Sequence, residues 1–474
     1  MEPSHENRGR ASHAHLPRVV IIGGGFGGLY AARELARAPV TVTLIDKRNY
    51  HLFRPMLYQV ATGLLSSDEI AAPIRSILSG QKNVTVLMAE VVGVDPHNSV
   101  VLTREGTVAY DYLVLATGIE YNYFGHEEWK AHAPGLASVD DADRIRSKIL
   151  TAFESAEQLA ASGKADPSIL RELLTFVQVG GGTAGVEMAA TMAEMARMAL
   201  AEDFRHIDPR LARILLFEAA PRILKTYPEK LSEKARRYLE GLGIEVHLNT
   251  RVQRVDERGV VVNGKRIASR TVLWTAGVVA SPAGRWLGAD VDRLGRIKVN
   301  PDLSVPGHPN VFAIGDTAAL SALTRSLFGM KSETPVLLPG VAQVAIQGGT
   351  YVARLIRRRI KGERSAKPFC YWDKGNMAIV GRTFAVADLK HVRFSGFIAW
   401  LLWAGVHIYF LIGFANRLQV TLQWAISFVT NRRGVRILPP AQAGMTHADP
   451  GHQTRAALIA KMNYVECKPR NTHP

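Results

Sequence analysis

Residues 18–37 read RVVIIGGGFGGLYAARELAR, and residues 40–46 read VTVTLID. A short apolar run, a glycine cluster, an alanine-rich helical segment and a second apolar run ending on an acid form one strand–turn–helix–strand unit. Gly23, Gly25 and Gly28 have the GxGxxG spacing. In such a turn the first glycine permits the tight bend, the second lets a pyrophosphate reach the backbone, and the third lets helix pack on strand. The helix N-terminus then offers unpaired N–H groups to the phosphates. Asp46 lies 18 residues beyond Gly28, at the strand end, where an acid accepts hydrogen bonds from ribose hydroxyls. A glycine-rich packing turn would need neither the following helix nor that acid.

The unit recurs. LLTFVQVGGGTAGVEMAATMAEMAR (173–197) sets Gly180, Gly182 and Gly185 at the same spacing, 157 residues after the first set. Its strand-end acid is Glu218, in RILLFEAAPRIL, displaced by the insertion AEDFRHIDPRLA (201–212). An acid there favours NADH, because it repels a 2′-phosphate. YDYLVLATG (110–118), TVLWTAG (271–277) and NVFAIGD (310–316) are further apolar strands ending in small-residue turns at Gly118, Gly277 and Asp316. The pattern predicts an α/β chain with two Rossmann-like dinucleotide-binding domains on parallel sheets. The expected division is 18–165 with 283–368 for the first domain and 166–282 for the second. A C-terminal region follows over 369–438, with flexible tails at 1–17 and 439–474.

Composition narrows the chemistry. The chain has 474 residues, a formal net charge of +16 and two cysteines, Cys370 and Cys467. Two distant cysteines exclude a disulfide framework, a CxxC pair and a four-cysteine metal site. No spacing suggests a metal site. The polar start lacks an apolar signal core, so an intracellular protein is expected. From Lys390 onward ten Lys/Arg face two acids, half of the net excess. Basic charge beside apolar sequence suggests an anionic membrane surface. No nucleic-acid motif accompanies it, so no nucleic-acid partner is expected.

Two fingerprints, ATG and a late GD together resemble the two-dinucleotide-fold flavoproteins. The resemblance implies FAD on the first fold, through Gly23, Gly25, Gly28, Asp46, Gly118 and Asp316, and NADH on the second, through Gly180, Gly182, Gly185, Glu218 and Gly277. KRNYHLFRPMLYQVATG (47–63) holds no cysteine, which removes disulfide reductase chemistry and disfavours sulfide:quinone chemistry. YHLFRPMLYQVATGLL (50–65) and LLPGVAQVAIQGG (337–349) resemble type II NADH:quinone oxidoreductases, the single-subunit, non-pumping respiratory enzymes. AQVAIQ matches that family's AQxAxQ signature.

By this resemblance, hydride passes from NADH to FAD and two electrons pass to a membrane quinone. Gln343 and Gln347, four apart on one helix face, would meet the flavin edge and the quinone. Glu187 would lie between the two substrates, and Lys374, in the YxDKGxxA match, near flavin and quinone. Spacing alone allows a polar helix face, a helix N-terminal acid and a solvated turn lysine. The alternatives are a ferredoxin- or rubredoxin-type reductase, a quinone reductase with another donor, and an NAD-sensing scaffold. Turnover with quinone separates them. The quinone type is not legible, and a homodimer stays open.

FSGFIAWLLWAGVHIYFLIGFAN (394–416) carries no charge over 23 residues. As one helix it would reach roughly 35 Å, enough to cross a bilayer. The next segment, NRLQVTLQWAISFVTNRR, is amphipathic, with polar Asn416, Gln419, Gln423, Ser427 and Thr430 opposite Leu418, Leu422, Ala425 and Val429. Arg417, Arg432, Arg433 and Arg436, with Trp400, Trp403 and Trp424, suit a membrane interface. A monotopic anchor on the cytoplasmic face of the inner (plasma) membrane, in contact with lipid, is therefore expected over a span or a soluble core helix.

Overall fold

The computed structural model describes residues 16–163, 165–363, 365, 367–430 and 433–438. The expected tails lie outside these residues apart from Leu16 and Pro17, and Arg432 lies outside them too.

The first sheet has six strands in the order Ser304–Val305, His308–Ala313, Tyr112–Leu115, Arg18–Ile22, Thr41–Asp46 and Val84–Met88. All neighbours run parallel except the first pair. The second sheet is wholly parallel, in the order Ile244–His247, Arg213–Phe217, Thr175–Val179, Thr271–Trp274. Its central strand, TFVQV, is buried at every position, as a parallel strand covered on both faces requires. The expected α/β architecture with two Rossmann-like sheets is what the chain forms.

The chain crosses between the sheets twice, side by side. Ile119–Tyr121 pairs antiparallel with Val278–Ala280, and each strand starts immediately after its turn glycine, Gly118 or Gly277. The polar segment after the first crossing forms the helix Val139–Ala161, capped by Ser138, whose side chain accepts from the Asp141 N–H. Phe153 of this helix stacks on Phe176 of the second sheet at 5.2 Å.

After Phe369 the chain forms Cys370–Asp373 and then the antiparallel meander Asn376–Gly381, Phe384–Asp388, Arg393–Gly396. The meander packs on the helix Thr183–Glu194 of the second fold. Two helices follow, Phe397–Phe410 and Phe414–Thr430. The apolar stretch 394–416 is thus not one helix. Its first residues are strand, and glycines at positive φ, Gly396 (+88°) and Gly413 (+92°), stand before each helix. The 14 residues of Phe397–Phe410 reach only about 21 Å. No helix among the described residues is long and apolar enough to cross a membrane.

Candidate active site

The two glycine turns are built alike. The Gly24 N–H donates to Asp46 Oδ2 at 2.6 Å, and the Gly181 N–H donates to Glu218 Oε2 at 2.6 Å. Each carboxylate also accepts a second backbone N–H, from Arg48 and Ala220. The insertion at 201–212 therefore leaves Glu218 where Asp46 stands in the first fold. A Cβ on Gly28 would fall 1.8 Å from Gly23 O, and one on Gly185 the same distance from Gly180 O. A Cβ on Gly25 or Gly182 would meet nothing within 4 Å. Close packing at the third glycine and open space beside the second form a cradle that fits a pyrophosphate in both folds.

Asp316 opens the turn after the strand His308–Ala313. Burial raises its pKa against the opposing pull of Arg54 and Arg296. Its carboxylate makes no hydrogen bond among the described residues, so it is available to a ribityl hydroxyl. Gly118 is fixed by its own N–H, which donates to Thr317 Oγ1 at 3.0 Å. The buried His51 contacts Gly24 O through Nδ1, while its Nε2 lacks a partner among the described residues.

Glu187 lies in the helix Thr183–Glu194 and is buried. Desolvation raises its pKa well above the ordinary carboxylate range, offset in part by a hydrogen bond from the Ile379 backbone. Its neutral acid form can donate a hydrogen bond. Thr191 and Glu194 continue the same helix face at i+4 and i+7. All three line a cavity of about 70 Å³, together with Tyr58, Gln59, Trp400, Trp403, Trp424 and Arg433.

Around this cavity the polar groups are linked. Gln59 donates to Tyr58 Oη at 2.8 Å and accepts from Trp424 Nε1 at 2.7 Å. Glu194 accepts the Arg382 N–H at 2.5 Å and faces Arg433 at 3.6 Å. Arg433 donates to Thr62 O at 2.9 Å, and burial lowers its pKa to about 10. Sequence reading missed Tyr58, Gln59 and Glu194, and it assigned Arg433 and Trp424 to a membrane interface. They are turned inward instead. Arg436 bonds Ala199 O and Asp203, and Arg417 caps the helix Phe397–Phe410 through Tyr409 O and Leu411 O. A run of rings, Phe26, Phe53, His407, Trp403 and Trp424, joins the first glycine turn to the C-terminal helices, with centroids 4.1–6.1 Å apart. Burial lowers the His407 pKa to about 4, so the run carries no charge at neutral pH.

Gln343 and Gln347 share one face at the start of the helix Ala342–Ile360, where both are partly buried. Gln343 makes no side-chain hydrogen bond among the described residues. Gln347 is fully engaged: it donates to Trp372 O at 3.0 Å and accepts from Trp372 N at 2.9 Å. It therefore fixes the strand leading to Lys374. The Lys374 ammonium is no solvated turn cation. It sits 4.7 Å from the Trp372 ring centroid and 5.4 Å from that of Phe410, and burial lowers its pKa.

Two dinucleotide cradles and a buried acid lining an aromatic-walled cavity define a pyridine-nucleotide oxidoreductase. The family model of the pyridine nucleotide-disulphide oxidoreductases matches residues 17–349, and the chain belongs to that family. Within it the chain is a member of the type II NADH:quinone oxidoreductases. It is 43% identical to the type II NADH:quinone oxidoreductase Ndh of Mycobacterium tuberculosis over 458 residues, 94% of each chain. It is 42% identical to NdhA of the same organism over 88% of each. The Plasmodium falciparum NDH2 structure in complex with NADH shares the fold, with a TM-score of 0.79 and 21% identity over 88% of this chain and 99% of that one. The sulfide:quinone oxidoreductase of Aquifex aeolicus shares it with a TM-score of 0.64 and 18% identity, over 89% of this chain and 96% of that one.

Proposed function

We infer that this protein is a FAD-dependent NADH:quinone oxidoreductase that does not pump protons. The observation that carries the reading is the placement of Glu187. It is buried on the helix that follows the second glycine turn, and it faces a cavity closed by the C-terminal helices. FAD, when bound, supplies the hydride acceptor and the two-electron donor for the quinone.

The chain's own residues bind, orient and exclude water. We assign FAD to Gly23, Gly25, Gly28, Asp46, Gly118 and Asp316, and NADH to Gly180, Gly182, Gly185, Glu218 and Gly277. Glu187, Gln343 and Lys374 are the proposed catalytic residues, and Gln347 acts with them by holding Trp372. Neutral Glu187 and the Tyr58–Gln59 pair offer donors to a quinone carbonyl, and the three tryptophans keep the cavity apolar. Lys374, partly desolvated, suits the charge that develops on a quinone being reduced. For the domains we propose the change from FAD to NADH unit at the ribbon Ile119–Tyr121/Val278–Ala280 rather than at 165 and 282, because the helix Val139–Ala161 packs on the second sheet.

Membrane lipid is the proposed partner of the C-terminal helices. The outer face of Phe414–Thr430 is apolar: Phe414 is 82% exposed, Val429 81%, Ile426 54% and Leu422 53%. Phe397, Ile398 and Leu401 extend it along the preceding helix. A soluble protein rarely exposes so large an apolar face without a partner. The cytoplasmic side is proposed because NADH is supplied there. The test is anaerobic. NADH should bleach the bound flavin, and a soluble quinone should restore its colour. Protein purified without flavin, or reduced flavin indifferent to quinones, would overturn the assignment.

A further inference from the structure

A second apolar surface lies outside the two C-terminal helices. The small sheet of Ser321–Ser326, Val336–Leu337 and Cys370–Asp373, with its connecting loop, turns Leu323, Phe328, Met330, Val336, Leu337 and Trp372 outward. Each is 41–58% exposed. The strand alternation is regular: Ala322 and Ser326 are buried while Leu323 and Arg325 face out, and Tyr371 is buried while Trp372 faces out. The sheet has an inner face on the first core and an outer face that is also apolar.

This surface is joined to the C-terminal helices by a chain of contacts. Lys374 lies over both Trp372 and Phe410, the last residue of Phe397–Phe410. Lys390 pairs with Asp373 at 3.3 Å, and its neighbour His391 meets the Phe328 ring at 5.8 Å. The rim is basic. Arg325, Lys331 and Lys374 form no ion pair with a carboxylate among the described residues, and Glu333 is the acid on the loop. The loop runs through Leu338 directly into the helix that carries Gln343.

We propose that this sheet and its loop are a second lipid-contacting element. Resting on the membrane reading above, it lies on an anionic phospholipid surface beside the C-terminal helices, so that the glutamine helix starts at the lipid boundary between two apolar lips. Apolar side chains ringed by unpaired cations match an acyl boundary with anionic headgroups above it. A protein partner would not require both features along one edge shared with the helices.

The test uses the full-length holoenzyme and vesicles of phosphatidylglycerol and phosphatidylcholine. The double variant Phe328→Ser/Leu337→Ser should lower partitioning into the vesicles roughly tenfold. Its reduction of a water-soluble quinone should stay unchanged. In a Cys370→Ser/Cys467→Ser background, an environment-sensitive fluorophore at Phe328→Cys should shift to the blue on adding vesicles and be quenched by spin-labelled lipid. A fluorophore at Leu422→Cys reports the helices. If Leu422 responds and Phe328 does not, contact is confined to the helices and the proposal fails. If neither responds, the membrane reading fails with it. If the double variant dissociates a dimer in sedimentation while binding vesicles normally, the surface belongs to a second copy of the chain, and the proposal is again overturned. Loss of soluble-quinone reduction by the unmodified enzyme would count against the proposed function alone.

Discussion

Replacing Arg433 by methionine should destabilise the protein in a pH-dependent way. Arg433 and Glu194 are both buried, 6% and 9% exposed at their side chains, and their charged groups lie 3.6 Å apart. Removing the cation leaves the carboxylate with the Arg382 N–H and no facing guanidinium from residue 433. Cutting one partner from a buried pair typically costs about 3–5 kcal/mol. Glutamate has a cheaper response, which is to take up a proton. At pH 7, protonating a group whose unfolded pKa is about 4.3 costs at most about 3.7 kcal/mol, at 1.36 kcal/mol per pH unit. In the wild type, desolvation already raises the Glu194 pKa despite Arg433. The variant's loss should therefore lie near 2–3 kcal/mol at pH 7. The sign follows from linkage. With its folded pKa raised further, Glu194 binds a proton that the unfolded chain releases, so the deficit is small near pH 5 and grows as pH rises. Urea unfolding followed by tryptophan fluorescence at pH 5.5 and 7.5 measures it. Adding Glu194→Gln should recover most of the loss at pH 7.5. A deficit below about 1 kcal/mol at pH 7.5, one equal at both pH values, or no recovery in the double variant would refute the electrostatic reasoning.

Glu187→Gln should flatten the pH dependence of stability. Burial raises the Glu187 pKa, so wild-type stability falls as pH climbs above the ordinary glutamate range, and the neutral amide removes that fall. Thermal midpoints at pH 5.5 and 8.5 check this, and quinone reduction should slow roughly 100-fold. Gly28→Ala and Gly25→Ala should differ. The first places a methyl 1.8 Å from Gly23 O and should cost more than about 3 kcal/mol, whereas the second meets only open space and should leave the fold intact while the purified protein loses flavin. Far-ultraviolet dichroism beside the 450 nm flavin absorbance separates the two outcomes. Glu218→Ala should raise the KM for NADH by roughly tenfold and narrow the gap to NADPH, read from initial rates with both nucleotides.

Both glycine turns were legible because their logic is local. Strand, turn, helix and strand-end acid follow one another within a few dozen residues, and the structure returns the same Gly24–Asp46 and Gly181–Glu218 bonds in each fold. The cavity was not legible. Tyr58 and Gln59 come from a short helix in the first fold, Glu187 and Glu194 from the second, and Trp424 and Arg433 from the C-terminal region. The Trp424–Gln59 bond spans 365 residues, and no periodicity reveals such a pairing. The stretch 394–416 was read as a surface anchor rather than a span, and only its internal breaks were hidden. Hydropathy averages over length and does not register the strand at Arg393–Gly396 or the glycine at positive φ that separates the two helices. Arg433 misled because a charge count cannot tell a cation facing headgroups from one buried against a carboxylate.

The helix Phe414–Thr430 connects these points. Sequence reading found its two faces, and the structure turns the polar one partly in: Asn416, Gln423 and Ser427 are half-buried, while Gln419 and Thr430 are exposed. Asn416 reaches Asp68 O, Trp424 donates to Gln59, and Ser427 lines the cavity. Covering Leu418, Leu422 and Val429 would gain roughly 1.5–3 kcal/mol for each side chain fully buried. The proposed bilayer would supply that cover, while the Tyr58–Gln59 and Glu194–Arg433 groups hold the inner face. The side chains that hold the helix the right way round are thus the ones that line the cavity beside Glu187. A substitution at Gln59 or Trp424 should therefore disturb membrane docking and quinone reduction together, although neither residue faces lipid. Vesicle partitioning and quinone turnover of Gln59→Leu, measured on one preparation, test this: a variant impaired in turnover alone would show that the two faces are independent.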